Sequence, residues 1–241
     1  MNKLIVANFK MNKNSVEMSE YLSKLSGKTF SNEVVLLPSI SNLFLSTIYN
    51  ENISYGVQDF FYKEEGSYTG EYNLDMLEYM NVKYALVGHH ERRKLFKESN
   101  AQINKKLLYA LEKGVTPILC IGESLGQTKN NLYKAHLKRQ LTLALKGVKA
   151  LDLNKVIIAY EPTYAIGAED SADIISVESN IKLIKEMLKS KSKKADIMPK
   201  VIYGGSVNTE NYSKFLNSEE IDGLLVGRSA LIAENLIKMG E

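Results

Sequence analysis

The run KLIVANF, residues 3–9, decides between two folds. Its apolar residues are contiguous and do not alternate with polar ones, which is the pattern of a strand buried on both faces and so of a parallel sheet. No G-x-G-x-x-G comes after it, which weakens an open dinucleotide-binding sheet. Seven similar runs recur: EVVLLP (33–38), ISYGVQ (53–58), KYALVG (83–88), VTPILCIG (115–122), KVIIAYEP (155–162), PKVIYGG (199–205) and IDGLLVG (221–227). Amphipathic segments separate most of them. In NAQINKKLLYALEKG, Ile103, Leu107, Leu108 and Leu111 fall on one helical face, and Gly114 stands where a helix ends on a left-handed glycine. In SNIKLIKEMLKS, Ile181, Ile184, Met187 and Leu188 do the same. Eight strands alternating with helices fit a closed (β/α)8 barrel or an open doubly wound sheet. With no dinucleotide turn and no linker rich in Pro, Gly or Ser, an α/β fold of the closed-barrel kind is predicted, a single domain over residues 1–241.

Composition narrows the function classes. The chain has 241 residues, 44% hydrophobic and 24% charged, as in ordinary globular proteins. A net charge of +3 suits an anionic small substrate but decides little. Nucleic-acid binding calls for a concentrated basic stripe, and the densest lysine run, KSKSKKAD at 189–196, reads as a solvated helix end or loop. The lone Cys120 excludes an internal disulfide framework. The start MNKLIVANFK is too short and polar for a signal peptide. No run approaches the ~20 apolar residues of a membrane span. A cytoplasmic location is expected.

In a barrel the active site forms from the loops after the strand C-termini. Asn8, Phe9 and Lys10 come after the first run, and His89, His90, Glu91, Arg92 and Arg93 after the fourth. Glu161 and PTYAIGAED come after the sixth, Gly204 to Val207 after the seventh, and Gly227, Arg228 and Ser229 after the eighth. A glutamate at a strand end is ordinarily a salt-bridge partner, GGS a turn and a lone lysine a solvated side chain. Their joint placement at one rim carries the functional reading. Gly/Ser turns leading into helices offer backbone N–H groups to an anion, most often phosphate. A carboxylate base, an imidazole and a fixed cation beside such a site suit proton abstraction next to a carbonyl.

The ordered motifs ANFKMN, VGHHERR, CIGES, AYEPTYAIG, YGGSV and LLVGRSAL resemble the triosephosphate isomerase family, across residues 5 to 231. The resemblance implies a TIM barrel that interconverts dihydroxyacetone phosphate and D-glyceraldehyde 3-phosphate in glycolysis and gluconeogenesis, without metal or organic cofactor. It implies that Glu161 moves a proton between C1 and C2, that neutral His89 polarises the carbonyl and moves protons between the enediolate oxygens, that Lys10 stabilises negative charge and that Asn8 contacts the substrate oxygens. It makes residues 162–172 a mobile lid and puts the phosphate on backbone N–H groups around Gly167, Ser206, Gly227 and Arg228. A dry site is expected to raise the basicity of Glu161, and a helix N-terminus to keep His89 neutral. The stretch QDFFYKEEGSYTGEYN (58–73) resembles the family's third loop, which implies a homodimer in which Thr69 reaches the partner's active site. Its five aromatic residues also argue against a disordered loop.

Four positions depart from the family pattern. His90 stands at the place of a serine that contacts the base, and is expected to help hold Glu161 when the lid is open. Tyr164 replaces a tryptophan, AEDSA at 168–172 is unusually acidic, and Arg228 replaces a glycine. Phosphate binding survives the last change provided Arg228 needs no positive φ. Three other readings compete. A barrel acting on a different sugar phosphate does not need the whole Lys10, His89 and Glu161 set, and a non-catalytic scaffold predicts that the base or the lysine is lost. A metal centre at His89, His90 and Glu91 is disfavoured because adjacent side chains diverge. His136 reads as a surface helix histidine.

Overall fold

The computed structural model describes residues 2–49, 51–165, 173–192 and 198–241. Eight parallel strands close into one barrel in chain order: β1 (Leu4–Asn8), β2 (Glu33–Leu37), β3 (Ser54–Val57), β4 (Val82–Val87), β5 (Thr116–Ile121), β6 (Ile157–Tyr160), β7 (Lys200–Tyr203) and β8 (Gly223–Val226). Closure comes from β1 against β8, with Leu4 opposite Gly223 and Ala7 opposite Val226. Each strand lies within one of the eight apolar runs, give or take a residue at its start. Outside the barrel run α1 (Ser15–Leu25), α2 (His90–Leu95), α3 (Asn100–Glu112), α4 (Leu125–Lys129), α5 (Tyr133–Ala144), α6 (Ile174–Ser192), α7 (Tyr212–Leu216) and α8 (Ala233–Gly240). None of the described helices is long and apolar enough to cross a membrane.

The contiguous apolar runs serve two separate cores. Leu4, Val6, Val35, Leu37, Leu86, Ile118, Cys120, Ile157, Ala159, Ile202 and Leu225 form one cluster inside the barrel. Their chain neighbours, such as Ile5, Ala7, Leu36, Val87, Ile158 and Val201, belong to a larger cluster between strands and helices. Both faces are therefore apolar, because successive strand residues point to opposite sides. Helix α3 adds Ile103 and Leu107, fully buried, to the outer core. It ends as its glycine predicts. Gly114 has φ +71°, Val115 N–H donates to Ala110 (2.9 Å) and Gly114 N–H to Leu111 (3.2 Å), the two bonds of a Schellman cap.

Two glycines contrast a crowded strand end with an open helix surface. A Cβ on Gly122, just after β5, would strike the backbone carbonyl of Glu161. One on Gly126, in α4, would meet only the Ser124 hydroxyl at 3.9 Å. In urea unfolding, Gly122→Ala is expected to lose more than about 2 kcal/mol, whereas Gly126→Ala gains up to about 1 kcal/mol.

Candidate active site

The inward row of the barrel continues past the strand ends and turns polar there. Leu4 and Val6 are succeeded at the same parity by Asn8, and Ile157 and Ala159 by Glu161; both polar residues are buried, at 4% and 3% exposure. On β7 and β8 the corresponding positions are Gly204 and Gly227, which leave space. The result is a cleft of about 370 Å³ at the C-terminal mouth, lined among others by Asn8, Lys10, His89, Glu161, Ser206 and Gly227. Arg228 also lines it, so the structure brings together every predicted site residue except Gly167. Gly167, with the lid residues 166–172, lies outside the described residues.

Each side chain is set by local structure. Gly88, at φ +71°, breaks the strand geometry of β4 and turns His89 inward. His89 then caps α2: its Nδ1 accepts from the Glu91 N–H at 3.3 Å, so a neutral ring carries its proton on Nε2. That Nε2 lies 3.2 Å from Glu161 Oε1. The other carboxylate oxygen of Glu161 accepts from the His90 backbone N–H at 3.4 Å and faces His90 Nδ1 at 3.8 Å. Burial acts to raise the Glu161 carboxyl, but the charge and hydrogen bond of His89 and the contacts of His90 outweigh it. In this arrangement Glu161 is held below the ordinary carboxylate range. A dry site raises basicity only for a carboxylate without such donors.

Lys10 occupies a strained backbone position, φ +51°, pinned by Asn8 Oδ1 on its N–H (3.0 Å) and by Gln58 Nε2 on its carbonyl (2.9 Å). Its ammonium donates to Glu91 Oε1 at 2.6 Å. Burial works against the charged form of Glu91, yet the Lys10 hydrogen bond and the nearby histidines hold its carboxyl below the usual range. The imidazoles of His89 and His90 do not diverge as adjacency suggests. Their ring centroids lie 4.3 Å apart, and one polar atom from each of His89, His90 and Glu91 falls within 4.8 Å of the others. Both flank the start of α2, where the chain bends, so strand and helix side-chain directions do not apply. The Lys10 ammonium already supplies positive charge to this group.

Arg228 is not among the residues with positive φ, so the condition for its N–H to serve phosphate is met. The N–H of Ser206 donates to the Ala165 carbonyl at 3.1 Å and so has a partner in this state. His136 is half-buried on α5 and bonded through Nδ1 to Gln127 Nε2 (2.8 Å).

Several residues were not singled out from the sequence. Gln58 fixes Lys10, together with Glu91, for which the sequence offered no such role. Buried Glu123 accepts from the Tyr160 hydroxyl at 2.8 Å and, through its carbonyl, from Thr163 at the foot of the lid segment. Buried Lys106 bridges Asp59 and Glu98, while Arg92 bonds Asp59 at 2.9 Å. This network ties the start of the 58–73 loop to α2 and α3. Only the charged cluster in HHERR hinted at it.

A carboxylate, an imidazole and an ammonium facing one small cleft at the mouth of a parallel barrel define an enzyme of the proton-transferring isomerase class. The family model described as triosephosphate isomerase matches residues 3–241. Proteins named triosephosphate isomerase are similar along almost their whole length. That of Finegoldia magna is 38% identical, over 98% of this chain and 96% of its own. That of Aquifex aeolicus is 35% identical over 99% and 98%, and that of Caldanaerobacter subterraneus subsp. tengcongensis 38% over 98% and 97%. The chain belongs to the triosephosphate isomerase family.

Removing one partner of a buried ion pair strands its counter-charge. Lys106→Met leaves Asp59 and Glu98 without their shared cation and is expected to lose about 3–5 kcal/mol in urea unfolding.

Proposed function

We propose that the protein interconverts dihydroxyacetone phosphate and D-glyceraldehyde 3-phosphate, with the chemistry divided among four side chains and a set of backbone donors. The Glu161 carboxylate takes a proton from C1 of the ketose. His89, as the Nε2–H imidazole, polarises the C2 carbonyl oxygen and then moves a proton to it from the C1 hydroxyl, so that C1 becomes the aldehyde carbon. The Lys10 ammonium stabilises the negative charge that develops, and Asn8 helps orient the oxygens. The protonated Glu161 then returns its proton to C2, so that no proton is consumed overall. Backbone N–H groups at Ser206, Gly227, Arg228 and Gly167 hold the phosphate. The observation that carries this reading is the 3.2 Å contact between Glu161 Oε1 and His89 Nε2, inside a cleft that Lys10 also lines.

The reaction then requires two movements. Glu161 must leave His89 and His90 to regain basicity, and Ser206 must release Ala165 to offer its N–H. Both contacts join the cleft to residues at the start of the 162–172 segment or directly before it, so closure of that segment is the step that frees them.

We also propose a homodimer. Met11, Val16, Ile48, Met76 and Tyr79 are exposed large apolar residues, Met11 at 96% and Tyr79 at 91%. The last four lie on α1 and on two neighbouring 3₁₀ segments, Ile40–Thr47 and Asp75–Met80, or at their ends. The 58–73 loop holds itself together: Phe61 packs on Tyr62 and Tyr68 at 4.9 and 4.7 Å, and its N–H donates to Tyr72 (2.8 Å). A preshaped loop with exposed Thr69 suits insertion into a second copy. We further propose that residues 1–241 act as one domain and that the enzyme works in the cytoplasm, where its single buried thiol stays reduced.

Three measurements check these assignments. In a coupled assay of triose phosphate interconversion, Glu161→Asp retracts the base by about one bond and should lose about 100-fold or more; an inactive wild type, or a loss below tenfold, refutes the mechanism. Arg228→Gly should leave KM within about tenfold, because the backbone N–H and not the side chain meets phosphate; a larger fall in KM counts against it. By sedimentation velocity the wild type should run at twice the 27.1 kDa chain mass, and Tyr79→Asp should shift it toward monomer.

A further inference from the structure

Beside the catalytic cleft lies a second one, of about 1000 Å³ against 370 Å³. It is bounded by α2, the start of α3 and the α4–α5 pair. His90 and Glu91 form its wall on the catalytic side, whereas His89 and Glu161 line the catalytic cleft.

Its charges do not cancel. The two carboxylates in its wall are committed, Glu91 to Lys10 and Glu98 to Lys106. Its three permanent cations, Arg93, Lys94 and Arg139, have no carboxylate within ion-pair distance among the described residues. Arg93 is fixed by neutral acceptors alone: the Gly88 carbonyl (2.6 Å), Asn100 Oδ1 (2.8 Å) and the Cys120 carbonyl (3.0 Å). The guanidinium feels the Glu98 and Glu161 charges but pairs directly with neither. A neighbour registers the resulting potential. Burial, together with the Arg93 and Arg139 charges, holds His136 below the usual imidazole range, against an opposing backbone hydrogen bond. Exposed Leu95 and Leu143 add apolar surface at the rim.

Cations converging on a concave, partly apolar surface raise the local concentration of anions and select those with a carbon skeleton. We propose that this cleft is a second binding site, for a small organic anion carrying two or more negative charges, filled independently of the catalytic cleft. The site does not depend on the catalytic roles assigned above. An occupant would touch His90, whose backbone N–H holds Glu161, and Thr163 at the foot of the lid segment.

The three histidines of the chain make the test direct. His89 lines the first cleft, His136 the second, and His90 the wall of the second against Glu161. With citrate as probe, imidazole ¹H–¹⁵N spectra should show saturable movement of the His136 and His90 signals at or below about 10 mM. Sodium chloride at matched ionic strength should not reproduce it. The His136 titration midpoint should move upward with citrate, because an adjacent anion favours the imidazolium. The exposed double variant Lys94→Ala, Arg139→Ala should weaken binding by about tenfold or more. Absence of saturable His136 movement, unchanged affinity in the double variant, or movement of His89 with the same midpoint as His136 overturns the proposal.

Discussion

Closure of the sheet is the constraint on which everything else rests. Once β1 pairs with β8, every strand has one face toward the barrel axis and one toward the helices. Parity then assigns each residue to one core or the other. Above the last apolar layer, the inward row meets solvent at the barrel mouth and can bear polar groups. Asn8 and Glu161 are the next members of rows whose lower members are Leu4, Val6, Ile157 and Ala159. Gly204 and Gly227 occupy the same level on β7 and β8, and their missing side chains make the cleft. Asn8 and Glu161 are thus held at the ends of barrel strands.

The site stands in electrostatic tension. A fully buried carboxylate is costly in isolation, and Glu161 persists as an anion because donors from the α2 turn surround it. Lys10 and Glu91 neutralise one another a few ångströms away. The resting state therefore stabilises charge that the reaction must use. In the proposed reaction a base held by an imidazole is unreactive toward carbon, and substrate oxygens have to take those donors over.

Most of the strand and helix pattern was legible because it arises from periodicity. Lys10, His89 and Glu161 were legible because they stand directly after apolar runs or a glycine turn. The positions read less well depend on contacts distant in sequence. Gln58 meets Lys10 across 48 residues, and Thr163 meets Glu123 across 40. The His90 ring lies against that of His89 because α2 begins at that point, a bend that side-chain rules for uninterrupted strands and helices do not anticipate. His136 reads as a surface histidine from its helix alone, and its bond to Gln127 of α4 joins two helices.

The sequence by itself determined the alternation of strands and helices, the parallel sheet and the identity of the groups at the strand ends, since these depend on local periodicity and on residue chemistry. Only the tertiary structure decided that Glu161 rests as a stabilised anion, that Ser206 is engaged by Ala165, and that Arg93, Lys94 and Arg139 line one cleft with His136. The reason is physical: charge state and hydrogen-bond occupancy are set by distances between groups brought together by barrel closure, and those distances have no counterpart in the order of residues along the chain.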